Sequence, residues 1–445
     1  MNDAASPPRD PESVLRERSY RVLLVLAAIV GVIVSLASWA FLEAVHYAQV
    51  WVFEDLPGEL GFSGVPTWWP LPVLALAGVV VAFAIERLPG RGGHEPSEGL
   101  KSGPPTLPVM LPGVLLAAFA SIALGLVLGP EAPLIALGSG LGILAVRTAR
   151  RDAPDQAVAV IAAAGSFAAI SSIFGSPVIG AIIIIEAAGL GGPTLPLVLL
   201  PGLLAAGMGS LVFVGMGRLT GLPTKAYAIE PLDLASYPHP SLAAFAWTIL
   251  LSVAAALLVF AIIRLGVATK RLTVRRPFVV IPVVALAVAA LAIAFFEATG
   301  EPTNLVLFSG QEAMGQLVQQ AAGLSLGTLA LLIVLKGLAW GLSLGAGRGG
   351  PTFPALFLGI VGGLLAAHLP GMAQTPAIAV LMGVACVSVL RLPLSSIVIA
   401  SIVSGAGVGA APLVIVGVVV AFLVIVGLSS RFAAKDQAPA PSSAP

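Results

Sequence analysis

One carboxylate, Glu131, lies inside an apolar stretch of the chain and is the first candidate for chemistry. It is flanked by Leu126-Val-Leu-Gly129 on one side and by Pro133-Leu-Ile-Ala-Leu137 on the other. A charged group in such surroundings is costly to bury and usually has a function. Deprotonated, it competes with a small anion for hydrogen-bond donors; protonated, it withdraws and can carry a proton. A carboxylate that only caps a helix N-terminus has the same geometry, so both roles remain open.

Two segments rich in glycine and proline match each other, and the first contains Glu131. Gly129-Pro-Glu-Ala-Pro-Leu-Ile-Ala-Leu-Gly138 and Gly350-Pro-Thr-Phe-Pro-Ala-Leu-Phe-Leu-Gly359 share Gly, Pro, Pro, Leu and Gly in register. A short helix that begins at such a glycine presents unpaired backbone N–H groups and a partial positive charge. Glycine also lets a ligand approach the backbone, and proline suits the first helical turn.

These two helix starts predict a neutral anion-binding site that needs no lysine or arginine. The residues predicted to form it are Gly129, Pro130 and Ala132 from the first segment and Gly350, Pro351, Thr352 and Phe353 from the second. A site without a full charge can also release its ion quickly. The alternative is that these glycines only permit close packing of membrane helices.

The composition places these segments in a membrane. Of 445 residues, 58% are hydrophobic and only 10% are charged, whereas a soluble domain carries roughly a quarter charged residues. Apolar segments follow one another from residue 21 to residue 430, and several reach the about 20 residues that a spanning helix needs. Others are shorter and end at Gly- and Pro-rich breaks, at 128–133, 174–177, 345–354 and 391–396. Backbone that breaks at membrane depth must be buried in protein or line a cavity, so the breaks predict an internal path.

The matching segments divide the chain into two repeats, since a second proline break follows each of them, at Pro177 and at Pro393. Basic residues cluster before the first helix, after the short helix near residue 147, at 264–276 and near the end, which predicts cytoplasmic termini in a multi-pass protein of the cell membrane. The predicted divisions are a cytoplasmic N-terminal segment 1–20, a first membrane repeat 21–216, an extracellular linker 217–241, a second membrane repeat 242–430 and a disordered C-terminal tail 431–445.

Several other classes of function find no support in the residues. The single cysteine, Cys386, allows no disulfide framework and no cysteine-based metal site, and the four histidines have no metal-binding spacing. An intramembrane serine protease, the remote alternative, needs a nucleophile and a base in contact, which Ser139 and the scattered histidines do not provide. We expect no enzyme activity, no cofactor, no metal and no nucleic-acid partner.

The motifs together resemble the CLC chloride channel and transporter family, in particular prokaryotic members without C-terminal CBS domains. Gly-Pro-Glu-Ala-Pro at 129–133 is similar to the family's GREGP motif, and Glu131 falls on its gating glutamate. Segments 165–187 and 345–359 resemble the next helix pair and the family's GxFxP segment. The resemblance covers about residues 20 to 430. It implies a CLC-like inverted repeat of tilted and broken helices, a homodimer with a separate pore in each subunit, and chloride or another halide as the bound ligand.

The chain departs from the family pattern at positions that matter for the pore. Gly93 stands where the family has a serine that contacts the central ion, and Ser97 and Ser102 are candidates to replace its hydroxyl. The family's arginine becomes Pro130, its phenylalanine becomes Thr352, and its pore tyrosine has no counterpart.

A further departure concerns proton coupling. Where antiporters of the family have two consecutive acids, this chain has Glu186 and then Ala187 in place of the proton-relaying acid. We expect Glu186 to be a structural hydrogen-bonding or ion-pair partner, with Lys336 or Arg348 able to supply the opposite charge, or else part of a proton path. The prediction is movement of chloride or a similar monovalent anion, gated by Glu131 and uncoupled or weakly coupled to protons. A proton-coupled chloride or fluoride antiporter is the alternative.

Overall fold

The computed structural model describes residues 11–99, 104–189, 191–192, 195–221, 229 and 231–436. Within them the chain is helical, and the one β-type contact is an isolated bridge between Gly129 and Gly350. Nine helices of the described part are long and apolar enough to cross a membrane, and five apolar helices of 10–17 residues are shorter. The predicted fold class, an all-α polytopic membrane protein with broken helices, is confirmed.

The helices of the first half include five of the nine candidate membrane spans and several shorter segments. They are α1 (Pro11–Arg16), α2 (Arg18–Val50), α3 (Leu56–Glu59), α4 (Pro70–Arg87), α5 (Leu111–Ala123), α6 (Glu131–Ala149), α7 (Asp155–Phe174), α8 (Pro177–Ala187) and α9 (Leu195–Thr220). A π-helical turn, Trp51–Asp55, joins α2 to α3. The side chain of Ser176 caps α8 by accepting a hydrogen bond from the backbone of Ile179.

The helices of the second half follow a similar order. They are α10 (Leu242–Thr273), α11 (Pro277–Thr299), α12 (Ala313–Gln320), α13 (Leu326–Ala346), α14 (Thr352–Ala366), α15 (Gln374–Leu390), α16 (Pro393–Ser404) and α17 (Ala411–Asp436). Serine side chains cap two of them: Ser241 accepts from the Ala244 amide and Ser325 from the Thr328 amide. Such caps pair backbone N–H groups that have no partner inside the helix.

All four predicted breaks fall between helices. Residues 124–130 separate α5 from α6, and residues 347–351 separate α13 from α14. The other two breaks turn through a left-handed residue, Gly175 after α7 and Arg391 after α15, with φ of 59° at each. A proline begins the next helix in both cases, Pro177 and Pro393, because proline suits the first turn and cannot continue the preceding helix.

The two halves repeat the same pattern of neighbours. In the first half α2 packs on α7 and α9, α6 packs on α7, and α7 packs on α8 and α9. In the second half α10 packs on α15 and α17, α14 packs on α15, and α15 packs on α16 and α17. This correspondence matches α6 with α14 and α7 with α15, the pairing that the repeated ten-residue segment predicts. Contacts of α4 with α11 and of α8 with α16 join the halves.

Glycines at equivalent places bring the helices of each repeat together. Gly138 lies against the backbone of Gly165 in α7, and Gly359 lies against the backbone of Met382 in α15. A methyl group at either glycine would overlap the neighbouring main chain, so the two helices approach at backbone distance. These glycines therefore serve helix packing, as small residues commonly do in membranes.

Three helix ends differ from the predicted divisions. Helix α2 begins at Arg18, and α9 continues to Thr220 inside the segment that we predict to be a linker. Helix α17 continues to Asp436, five residues beyond the predicted start of a disordered tail at residue 431. Residues 222–228, residue 230 and residues 437–445 lie outside the described residues. These helices extend beyond the predicted boundaries because polar residues at a helix end can still form its last turn.

Candidate anion site and gate at two helix starts

The two matching segments lie side by side in the structure. The Gly129 amide donates to the Gly350 carbonyl at 2.7 Å, and the Gly350 amide donates back to the Gly129 carbonyl. This antiparallel bridge holds the first turn of α6 next to the first turn of α14. Both N–H groups are used by the bridge, so neither is left to donate to an anion in this conformation, contrary to our expectation for Gly129 and Gly350.

Four other predicted residues lie at the same helix starts. Pro130 and Pro351 hold the N-cap positions of α6 and α14 and have no N–H of their own, so they position the first turns without binding through an amide. Ala132 is the second residue of α6, and Thr352 is the first of α14. The first N–H groups of a helix have no partner within it, so the backbone donors left available here are those of the first turns and not those of the glycines.

The Glu131 carboxylate reaches from α6 to the start of α14. Glu131 is fully buried, and its Oε1 accepts a hydrogen bond of 3.0 Å from the Phe353 amide. Its Oε2 is buried and has no hydrogen-bond partner among the described residues. The Thr352 hydroxyl lies beside the same carboxylate, also buried and also without a hydrogen bond to a described residue. Unpaired polar atoms are costly inside a protein and mark sites where another group binds.

The carboxylate fits only because the two neighbouring residues are glycines. A methyl group added at Gly350 or Gly129 would overlap the Glu131 carboxylate, and at Gly129 it would also meet the ring of Phe353. The Phe353 ring stacks on Phe174, with ring centroids 5.7 Å apart and an angle of 14° between the planes. The end of α7 and the start of α14 thereby form an apolar wall around the carboxylate.

A cavity of about 470 Å³ leads from the surface to Pro130, the neighbour of Glu131. Its polar lining comes from the end of α2 and from the segment after α11, and it includes Gln49, Glu54, Asn304 and Glu312. His46 forms a hydrogen bond of 2.9 Å with the Glu312 carboxylate at its edge. We did not predict these residues. They lie at helix ends far apart in the chain, and only the approach of α2 to the segment before α12 brings them together.

Gly93 packs against α5. Its φ is 86°, in the left-handed region, and its α-carbon faces the side chain of Val114 in α5. The neighbouring Gly92 packs against Arg348, two residues before Gly350. Of the two candidates to replace the family's serine, Ser97 has a buried hydroxyl without a partner among the described residues, and Ser102 lies outside the described residues.

Glu186 binds the N-terminus of α16. Its Oε1 accepts a hydrogen bond of 2.9 Å from the Leu394 amide. Its Oε2 accepts from the Ser395 amide at 2.7 Å and from the Ser395 hydroxyl at 2.6 Å. The end of α8 faces the start of α16, whose unpaired N–H groups attract a carboxylate. The structure therefore shows the hydrogen-bonding role that we expected for Glu186, and not the ion pair with Lys336 or Arg348.

Lys336 is buried among backbone carbonyls. Its Nζ donates to the carbonyl oxygens of residues 305–308, at distances from 2.8 to 3.3 Å. It also lies 4.3 Å from the centre of the Phe357 ring. Leu305 ends a 3-10 turn, Thr303–Leu305, and the other three carbonyls follow it in the chain. These carbonyls satisfy the charge without a carboxylate, and no sequence signal indicated that arrangement.

Comparison with known proteins settles the family. A family model described as voltage gated chloride channel matches residues 97–425, more than half of the chain. The chain belongs to this family, the CLC family. Membership makes it a multi-pass membrane protein that takes part in anion transport, in agreement with the helices described above.

Related sequences carry a similar description. The chain is 30% identical over 360 residues to the putative ion-transport protein YfeO of Salmonella choleraesuis, which covers 79% of this chain and 81% of that protein. It is 28% identical over 363 residues to the protein of the same description from Shigella boydii serotype 4, with 80% and 82% covered.

CLC structures share the fold at low sequence identity. A slow cyanobacterial Cl⁻/H⁺ antiporter superimposes with a TM-score of 0.72 at 19% identity, covering 94% of this chain and 99% of that one. A CLC-type fluoride/proton antiporter gives 0.67 at 17% identity, with 91% and 95% covered. A eukaryotic CLC transporter gives 0.68 at 19% identity, with 91% and 71% covered. These likenesses confirm the CLC architecture.

Proposed function

We propose that this CLC protein moves chloride or a similar monovalent anion through a path within each subunit, that Glu131 is the gate, and that movement is uncoupled or weakly coupled to protons. The observation that carries the proposal is the buried Glu131 carboxylate, which lies on the Phe353 amide where the first turns of α6 and α14 meet. A carboxylate on such a donor occupies the place that an inorganic anion would take.

Gating follows because the Glu131 carboxylate and the anion bind the same hydrogen-bond donors. When Glu131 is deprotonated, its Oε1 accepts a hydrogen bond from the Phe353 amide, and its side chain fills the space beside Gly129 and Gly350. Once protonated, the side chain no longer gains from a positive helix end and can swing toward the cavity at Pro130. The Phe353 amide and the Thr352 hydroxyl can then bind an anion. The site contains no fixed positive charge, so the anion can leave it quickly.

Weak coupling is proposed from the surroundings of Glu186. A coupled exchanger needs a second group that passes protons to the other side of the membrane, and Ala187 holds the position where the family's antiporters have an acid. Glu186 itself is engaged by two amides and a hydroxyl at the start of α16. This engagement supports a structural role for Glu186 and an anion path without a matched proton path.

The alternative is a proton-coupled chloride or fluoride antiporter, and the descriptions of two structural neighbours favour it. Liposome measurements distinguish the two. Chloride efflux and proton uptake are followed together in vesicles that contain the purified protein, and fluoride then replaces chloride. Proton uptake driven uphill by an anion gradient in a fixed ratio would establish the antiporter and contradict the uncoupled proposal.

Glu131→Gln tests the gate. Glutamine keeps the size of the side chain but has no charge and no titrating group, so we expect anion flux equal to or above that of the wild type and no proton movement. Glu59→Gln, at an exposed position after α2, is the matched control and should behave as the wild type. Loss of all anion flux in correctly folded Glu131→Gln protein would count against Glu131 as the gate.

A further inference from the structure

Lys336, in α13, is a fully buried cation that takes no part in the gating proposed for Glu131. Its Nζ lies within 3.3 Å of four consecutive carbonyl oxygens, those of residues 305–308. The Phe357 ring of α14 lies on another side of it, with the ring centre at 4.3 Å. Carbonyl oxygens arranged in this way replace the water shell of a monovalent cation. The ammonium group is therefore bound as such a cation would be, but it is attached to the chain.

The segment that supplies the four carbonyls follows an unusual backbone path. Phe308 has a φ of 58°, and Gly310, two residues later, has a φ of 83°. The left-handed region is uncommon for a residue with a bulky side chain, and the surrounding structure must hold it there. Carbonyl oxygens that converge on one point also repel one another unless a positive charge lies among them. Lys336 supplies that charge, so the path of this segment depends on the ammonium group.

The same segment forms part of the wall of the 470 Å³ cavity. Leu307, Phe308 and Ser309 line this cavity together with Pro130, the neighbour of Glu131. The Phe308 amide donates a hydrogen bond of 3.2 Å to the carbonyl of Gly125, in the break between α5 and α6. That break leads directly to the start of α6. The path of the segment therefore bears on how the cavity approaches the proposed gate.

Aromatic rings connect this wall to the helices on either side. The Phe308 ring meets the Phe53 ring edge to face, with centroids 5.0 Å apart and 76° between the planes. Phe53 belongs to the π-helical turn after α2 and also lines the cavity. On the other side, a methyl group at Gly310 would overlap the Phe357 ring, the ring that also contacts Lys336. The ammonium group thus lies behind a wall that joins α2, the α5–α6 break and α14.

We propose that Lys336 is a positioning residue of the transport path, a built-in monovalent cation that binds the carbonyls of residues 305–308 and thereby fixes the cavity wall beside the gate. The role of Lys336 in the wall stands on its contacts with the carbonyls and with Phe357. Its effect on transport rests on the proposed function, in which anions reach Glu131 through this cavity. Without the ammonium group, the segment should relax and expose the residues behind Phe308.

Cysteine accessibility in the full chain tests the position of the wall. Ser309 lines the cavity next to Phe308 but exposes only 8% of its surface, and the native Cys386 is buried. The reagent is methyl methanethiosulfonate, which is neutral, so a change of protein charge does not alter its local concentration. It should modify Ser309→Cys about tenfold faster or more once Lys336→Met is added, because hydrogen bonds to a charged group are strong. Equal rates would overturn the proposal.

Two control variants show whether the change is confined to the wall. Gln316→Cys, at an exposed position of α12 on the same cavity, should react equally fast with Lys336 and with Lys336→Met. Arg275→Met, at an exposed position after α10, removes a positive charge elsewhere and should leave the rate at Ser309→Cys unchanged. A matching rise at Gln316→Cys would indicate general loosening of the protein and would overturn the positioning role.

Small ammonium ions test whether the carbonyls need the N–H donors of Lys336. Lys336→Ala leaves the space of the side chain empty. Propylammonium carries the same –NH₃⁺ group, whereas tetramethylammonium carries the charge without an N–H. In Lys336→Ala, propylammonium chloride should slow the modification of Ser309→Cys toward the wild-type rate, and tetramethylammonium chloride at the same concentration should not. Rescue by both salts, or by neither, would overturn the proposal.

Phe357→Leu provides a second variant that keeps Lys336 in place. It removes the ring beside the ammonium group, so it should raise the rate at Ser309→Cys less than Lys336→Met does. This variant keeps the proposal testable if the Lys336 variants do not fold. An unchanged rate in Phe357→Leu would count against the proposal.

Chloride flux in liposomes tests the link between this wall and transport. With chloride varied on the side of the cavity, the half-saturating concentration should rise about threefold or more in Lys336→Met and stay unchanged in Arg275→Met. A fall in maximum flux with unchanged half-saturation would indicate only loss of folded protein and would overturn the positioning role. Faster modification of Ser309→Cys in a protein that moves no anion would support the role of Lys336 in the wall while refuting the proposed function.

Discussion

The Glu131 carboxylate and the glycines beside it depend on one another for space. Gly129 and Gly350 pair through their backbones, and the absence of side chains on both leaves the pocket that the carboxylate fills. The same pocket is the proposed place of the anion. Glu131 Oε1 accepts a hydrogen bond from the Phe353 amide in this pocket, which joins the two helix starts.

Replacement of Gly350 by alanine should block the path. The added methyl group would lie where the Glu131 carboxylate now lies, and overpacking of a closed site costs about 1–3 kcal/mol. We expect anion flux in liposomes to fall at least about tenfold, since each 1.4 kcal/mol corresponds to a factor of ten. Adding Glu131→Gln should not restore it, because the methyl group remains in the pocket.

Gly207→Ala is the matched control for this substitution. Gly207 lies within α9, and a methyl group there would meet no atom within 4 Å. Flux should equal that of the wild type. Wild-type flux in Gly350→Ala as well would show that the anion does not pass between the two helix starts.

At the scale of elements, the short helices are held by their ends. Helix α16 is joined to α8 through the Glu186 carboxylate, which accepts from two amides and a hydroxyl at its start. Helix α14 is joined to α6 by the glycine bridge and by the bond to Glu131. Short helices gain little stability by themselves, so these end contacts set their positions in the membrane.

Glu186→Ala should lower stability without changing transport. The substitution leaves the Leu394 and Ser395 amides without their acceptor. Loss of such a partly exposed helix cap lowers the free energy of unfolding by about 1–2 kcal/mol. We expect a lower unfolding midpoint in detergent and an unchanged ratio of anions to protons moved. Ser395→Ala, which removes one of the three hydrogen bonds, should have a smaller effect, and Glu59→Ala none. A changed anion-to-proton ratio in Glu186→Ala would instead indicate a proton path.

At the scale of the whole molecule, the proposed gate lies where the two repeats meet, and the 470 Å³ cavity reaches its neighbour Pro130. The positive-inside rule predicts that the basic residues after α6 and α10 lie on the cytoplasmic side. Cysteine labelling can test this orientation directly, because the single native cysteine, Cys386, is buried.

Ser63→Cys and Thr148→Cys should label from opposite sides. Both positions are exposed, Ser63 between α3 and α4 and Thr148 in the last turn of α6 beside the basic residues. In intact cells a maleimide that cannot cross membranes should modify Ser63→Cys only, and Thr148→Cys only after lysis. The parent protein should stay unlabelled under both conditions. The reverse pattern would contradict the predicted cytoplasmic position of the termini.

The sequence alone determined the fold class, the repeat and the breaks. Apolar length, Gly and Pro clusters and the match of 129–138 with 350–359 are local properties, and a membrane allows few ways to satisfy a broken backbone. The position of Glu131 at a helix start could also be predicted, because Pro130 and Pro133 suit the first turn of a helix.

Partners across the molecule were decided by tertiary structure. The pairing of the Gly129 and Gly350 amides, the carbonyls around Lys336 and the binding of Glu186 at α16 join residues more than 25 positions apart. A buried charge takes whichever donor or acceptor the packing brings to it, and a carbonyl or an amide is present at every position of the chain. The sequence therefore indicated which charges lie within the membrane part, and the packing of the helices determined the hydrogen-bond partners of each one.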